Sequence, residues 1–228
     1  MLQFGGQVAL SMPVKLYKMK LSPPACAAMM ICEIHNVPVE MIDVDLIKRE
    51  NYTPEFLKKN PMHTVPVLED GNLILHDSNA ILTYINEMYG KDDSLYPKDL
   101  KQRALVDQKL FFNTLLFTRL RNVTYAAIIE GVRKPSEKML KEIEEAYGFL
   151  EAFLNNSKFV AGDRMTLADI AIVATVSGLR HIIAIDPKQF PKLNNWFMDM
   201  EKQPFFQKCT VPGSKILKDL LKEKLDLM

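Results

Sequence analysis

A change of pattern near Pro97 constrains this chain more than any single motif. Before it, short β-like runs alternate with helical spacings; after it, every periodic segment is helical. With 228 residues, the chain has room for a small α/β unit and a larger all-helical one. The expected division is a disordered extension over 1–12, a first domain over 13–90, a linker over 91–97 and a helical domain over 98–228. The linker, Gly90 to Pro97, contains Lys91, Asp92, Asp93 and Ser94.

Within the first domain, Val14 to Met19 alternates apolar and polar residues, which predicts a strand. Pro23 to Asn36 opens with prolines tolerated in a first helical turn and stops before Val37-Pro38, which predicts a helix. Val39 to Val44 is a second strand, parallel to the first through a right-handed crossover. Thr53 can cap a short helix that begins at Pro54 and ends at Asn60-Pro61. Two apolar runs, Val65 to Leu68 and Leu73 to Leu75, flank Glu69-Asp70-Gly71-Asn72, a hairpin signal. Ala80, Ile81, Tyr84, Ile85 and Met88 then fall at helical spacing. The order is βαβ followed by αββα.

The remainder predicts about five helices: 98–131, 136–155, 166–181, 189–203 and a charged tail helix from Gly213. Ile170 to Ile185 is the most apolar stretch, but Arg180 and His181 interrupt it, so it reads as a buried helix rather than a membrane span. Thr166-Leu167-Ala168-Asp169 is a capping box with a short acid.

Charge and cysteine content remove whole classes of function. A formal net charge of +1 leaves no field to draw in nucleic acid or an anionic membrane. Three cysteines, Cys26, Cys32 and Cys209, are too few for a disulfide framework, which implies a reducing, cytoplasmic compartment. The sequons at Asn51, Asn122 and Asn155 then carry no meaning. No metal-ligand pattern stands out.

Three segments can carry chemistry. In Leu21-Ser22-Pro23-Pro24-Ala25-Cys26 a hydroxyl stands where a helix offers unpaired N–H groups and its positive dipole end. Such a hydroxyl can donate to a thiolate, or simply cap the helix. In Asn60-Pro61-Met62-His63-Thr64-Val65-Pro66-Val67 a proline meets an apolar strand, so an edge or a bend is expected there, with backbone groups free for an extended peptide. A plain loop into the hairpin is the other reading, and either allows a cis bond at Val65-Pro66. In His76-Asp77-Ser78-Asn79 a carboxylate and a hydroxyl at a helix start can hold an ammonium and a carboxylate together, or serve only as caps.

The order and spacing of these segments on one βαβ/αββα frame resemble the cytosolic glutathione transferases over nearly the whole chain. The resemblance is to the insect delta and epsilon classes, epsilon most of all, through Ser22-Pro23-Pro24, Pro54-Glu55-Phe56-Leu57, Asn60 to Pro66, Asp77-Ser78, the Thr166 to Asp169 box and the run Phe117-Thr118-Arg119-Leu120-Arg121. It implies a thioredoxin-like N-terminal domain, an all-helical C-terminal domain and a cytoplasmic homodimer. It implies glutathione as co-substrate, conjugated through its thiolate to hydrophobic electrophiles in xenobiotic or insecticide detoxification. A free thiol, with a pKa of about 8.5, is mostly protonated at neutral pH, so a hydroxyl donor at a helix N-terminus raises the reactive fraction.

By the resemblance, Ser22 is the catalytic residue and bonds the sulfur. His63 meets the glycyl carboxylate, Val65 pairs its backbone with the cysteinyl part ahead of Pro66, and Asp77 and Ser78 hold the γ-glutamyl head. Asn51 and Asn79 join the glutathione site at positions where relatives often carry His and Arg, and Cys26 also replaces a frequent Arg. The hydrophobic substrate is expected along one helix at Phe117, Leu120, Arg121, Thr124 and Ile128. The loss of three basic contacts motivates a second reading, a non-catalytic carrier of apolar ligands on the same fold. A reductase using Cys26 is a third. Tyr17 is expected to pack in its strand.

Overall fold

The computed structural model describes residues 13–226, and the predicted extension over 1–12 lies outside them. Strand β1 (Val14–Lys18) pairs in parallel with β2 (Val39–Asp43) across helix α1 (Pro23–Ile34). After a 3-10 turn at Glu50–Tyr52 and α2 (Pro54–Lys59), β3 (Val67–Asp70) and β4 (Leu73–Leu75) form the hairpin, and α3 (Ser78–Tyr89) closes the domain. The four strands run in the order β2-β1-β3-β4.

Local chemistry explains these elements. In β1, Val14, Leu16 and Lys18 are buried while Lys15 and Tyr17 are partly exposed, the alternation expected of a strand. Ser22 and Asp77 cap α1 and α3 with their side chains, and Thr53 does the same for α2. Helix α1 stops short of the predicted Asn36, because that residue turns to φ 51°. Gly71 supplies the positive φ of 57° in the hairpin turn.

Of the two placements expected for the strand that follows Pro66, an edge or a bend, the edge is not adopted: β3 lies between β1 and β4, the sheet edges are β2 and β4, and the chain turns into the strand through a cis Val65-Pro66 peptide. Its ladder begins at Val67, so the missing N–H of Pro66 falls just outside the sheet.

The second domain contains α4 (Leu100–Ile128), α5 (Glu137–Leu154), α6 (Leu167–Leu179), α7 (Pro191–Glu201), α8 (Pro204–Cys209) and α9 (Val211–Lys224). Every residue of α6 is buried. It is the central helix, packed on α4 within its own domain and on α1 and α3 of the first, so one continuous core joins the two domains. A smaller cluster of Val44, Phe56, Val65 and Val67 covers the other face of the sheet, with Tyr17 packed against it as expected. The short helix α8 is absent from the sequence reading; Pro204 ends the preceding helix at once and starts another. No helix among the described residues is long and apolar enough to cross a membrane.

Candidate active site

Strand register brings the three chemical segments to one end of the sheet. Tyr17 faces Val67, so the residues after β1 lie beside those before β3; Leu68 faces Leu75, so the residues after β4 arrive at the same end. There β1 leads to Ser22, β3 is preceded by Val65-Pro66, and β4 leads to Asp77-Ser78. Lys18 faces Asp43, which adds the segment after β2 and its Asn51.

Ser22 has an extended backbone, and its Oγ accepts from the Ala25 N–H at 3.4 Å. That bond uses an acceptor lone pair, so the hydroxyl proton remains available to a ligand. The Val65-Pro66 peptide is cis. Among the described residues, neither the N–H nor the C=O of Val65 has a backbone partner, although its side chain is buried. Asp77 uses one carboxylate oxygen to accept from the Asn79 and Ala80 N–H groups at 2.8 and 3.1 Å. Its second oxygen is left for a cation.

The His63 loop is built by asparagines. Asn60, fully buried, donates to the Thr64 carbonyl at 2.9 Å and accepts from the Met62 N–H at 2.9 Å. Buried Asn51 donates to the His63 carbonyl at 2.6 Å, and this holds His63 at φ 48°. The imidazole stacks on Tyr52, with ring centroids 4.5 Å apart. Tyr52 carries no motif signal in the sequence, whereas Asn60 opens the Asn60 to Pro66 motif and its tight Asn-Pro turn.

Two predicted contacts are redirected. The Asn51 amide group is engaged with the protein backbone, and its Oδ1 is buried without a partner. Asn79 donates to the Leu110 carbonyl of α4 at 3.2 Å, so it braces α3 against α4, and its Oδ1 is likewise unpartnered. Both amides face protein.

On α4, Phe117, Thr124 and Ile128 are partly exposed along one line with the exposed Arg121. Leu120 departs from the prediction. It is 1% exposed and turned to α6, where Gly178 makes room for its side chain. At 3.6 residues per turn it lies about 60° around the helix from Phe117, toward the buried face.

Burial pushes the Cys26 thiol up to about 12, with the neighbouring Cys209 adding to the effect. Cys26 is therefore a core side chain and not a ready nucleophile.

Two family models match the chain: the glutathione S-transferase N-terminal domain over residues 12–87 and its C-terminal domain over 98–204. Glutathione S-transferase 1 of Manduca sexta is 42% identical over 217 residues, which cover 94% of this chain and all of that relative. The chain belongs to the glutathione S-transferase family. Among solved members, an epsilon-class glutathione S-transferase of the housefly Musca domestica superposes with a TM-score of 0.91 at 41% identity, covering 92% of this chain and 98% of that one. A glutathione transferase homolog of Drosophila mojavensis with bound glutathione gives a TM-score of 0.91 at 35% identity, covering 93% and 98%. A delta-class glutathione transferase of Nilaparvata lugens is also similar, with a TM-score of 0.86 at 35% identity, covering 93% of this chain and all of that one, so the likeness extends across both insect classes.

Proposed function

We propose that this glutathione transferase binds glutathione at the loop end of the sheet and adds its thiolate to hydrophobic electrophiles lying against α4. One observation carries the reading: the register that gathers Ser22, Val65-Pro66 and Asp77-Ser78 around one end of the sheet. Extended glutathione fits that arrangement. Its sulfur lies at the Ser22 hydroxyl and the α1 N-terminus, its cysteinyl backbone pairs with Val65, and its γ-glutamyl ammonium meets Asp77. Its γ-glutamyl carboxylate meets Ser78 and the α3 N-terminus, and its glycyl carboxylate meets His63. Phe117, Thr124 and Ile128 offer apolar contact to the second substrate, and Arg121 borders it. Catalysis then needs proximity and a stabilised thiolate, with no covalent enzyme intermediate.

Ser22→Ala tests this. The parent should lower the pKa of bound glutathione and conjugate an aryl halide, whereas the variant should lose roughly 100-fold in kcat/KM. Equal turnover in the two proteins would remove Ser22 from the mechanism.

We further propose a cytoplasmic homodimer with a role in xenobiotic detoxification. Leu100, Phe111 and Leu115 share the outward face of α4, and Phe111 is 77% exposed, unusual for a lone phenylalanine on a monomer. Sedimentation of Phe111→Asp against the parent tests the pairing; a parent that sediments as a monomer overturns it.

The non-catalytic carrier remains the second reading, favoured by the protein-facing amides of Asn51 and Asn79. Turnover with any electrophile excludes it.

A further inference from the structure

The first turn of α9 lies against the loop that ends in Ser22. A methyl group at position 213 would stand 1.7 Å from the Lys20 carbonyl oxygen, 2.7 Å from its carbon and 3.5 Å from the Leu21 nitrogen. Gly213 is helical, so glycine is needed there for close approach and not for its backbone freedom. The contact is backbone to backbone, and no flexible side-chain tip can yield. Lys20 and Leu21 link β1 to α1, and the Ser22 N–H closes their turn by donating to the Met19 carbonyl at 2.9 Å. The Lys20 carbonyl also accepts from the Cys26 thiol at 3.4 Å.

Helix α9 is itself anchored at this point. The Ser214 hydroxyl bonds His181 Nε2 at 2.8 Å just beyond α6, and buried Thr210 donates to the Met30 sulfur of α1 at 3.5 Å. The loop before Ser22 is thus held between α1 and a helix almost two hundred residues away in sequence.

We propose that Gly213 is a positioning residue for Ser22: by admitting the Lys20 carbonyl against its backbone, α9 sets how far the β1–α1 loop presents the Ser22 hydroxyl to the glutathione sulfur. This rests on the reading of Ser22 as the sulfur-binding residue. The Ser214–His181 bond is the second part of the same clamp. Because Asp77, Ser78 and His63 stand on other loops, the clamp acts on the thiol and not on the two ends of the tripeptide.

The test uses Gly213→Ala and Ser214→Ala in the full chain. Gly213→Ala should speed amide exchange over residues 19–26 and move the thiolate absorbance titration of bound glutathione upward by about one pH unit. It should lower kcat roughly 10- to 100-fold while KM for glutathione stays within about twofold. Ser214→Ala adds no atom, so it should fold even if Gly213→Ala does not, and it should shift the same readouts in the same direction by less. Folded variants whose thiolate titration matches the parent overturn the proposal, even if exchange is faster, since the contact is then only structural. If the parent itself fails to lower the thiol pKa and Ser22→Ala changes nothing, the Ser22 reading falls and the proposal with it. That failure is recognised in the parent, before either clamp variant is compared.

Discussion

The side-chain amide of Asn51 donates to the backbone carbonyl of His63 at 2.6 Å, across a 12-residue separation. It is the bond that fixes the loop presenting His63. Asn51→Ala is therefore expected to raise KM for glutathione several-fold by loosening His63, with kcat at saturation little changed. Steady-state kinetics at varied glutathione check this, and a fall in kcat at constant KM would contradict it.

Asp169 is the most heavily bonded carboxylate among the described residues. It accepts from the Thr166 N–H and hydroxyl at 2.9 and 3.1 Å, from the Val160 N–H at 3.0 Å and from Trp196 Nε1 at 3.0 Å. Burial pushes its carboxyl up to about 6, against the four bonds that favour the charged form. Asp169→Ala leaves those buried donors unpaired and removes the start of the central helix, at an expected cost of about 3 kcal/mol or more. Denaturant unfolding measures it; a loss below about 1 kcal/mol would mean that water replaces the carboxylate at no cost.

His181 gives stability a dependence on pH. Burial lowers its pKa to about 4, helped by nearby Arg180 and Lys218, while the Ser214 bond and Asp219 act in the opposite direction. A depressed base favours folding while it is neutral, so its contribution is present above the ordinary histidine value of about 6.5 and lost as pH falls toward 4. His181→Asn should flatten the decline of melting temperature between those limits. An unchanged profile would assign the decline to other groups.

Cys26 should be dispensable. The residue is 3% exposed and its thiol donates to the Lys20 carbonyl. Alkylation of the folded protein at neutral pH should spare it, and Cys26→Ala should retain conjugating activity within a few-fold. Disulfide-exchange activity that disappears in Cys26→Ser would restore the reductase reading.

Much of the fold could be read in one dimension. The alternation of Val14 to Lys18, the prolines after Ser22, the turn at Gly71 and the Thr166 to Asp169 box are short-range signals, and each marks the element it predicts. The boundaries that shifted did so for local reasons too, such as Asn36 turning to positive φ and Pro204 restarting a helix. Side-chain direction was less legible. The spacing of Leu120 suits a ligand-facing stripe, but α6 lies on that side and takes it into the core. Asn79 stands next to Asp77-Ser78 in sequence and turns to α4 in space.

Which segments become strands and helices, and which polar residues stand at the helix starts, follows from residues close together in the chain, because periodicity and capping act over a few residues. That these starts meet at one end of the sheet, that Asn51 serves His63, and that Gly213 presses on the loop before Ser22 follows from long-range packing alone. Those relationships depend on strand register and helix packing between residues distant in the chain, where the chemical identity of a residue does not reveal its neighbour.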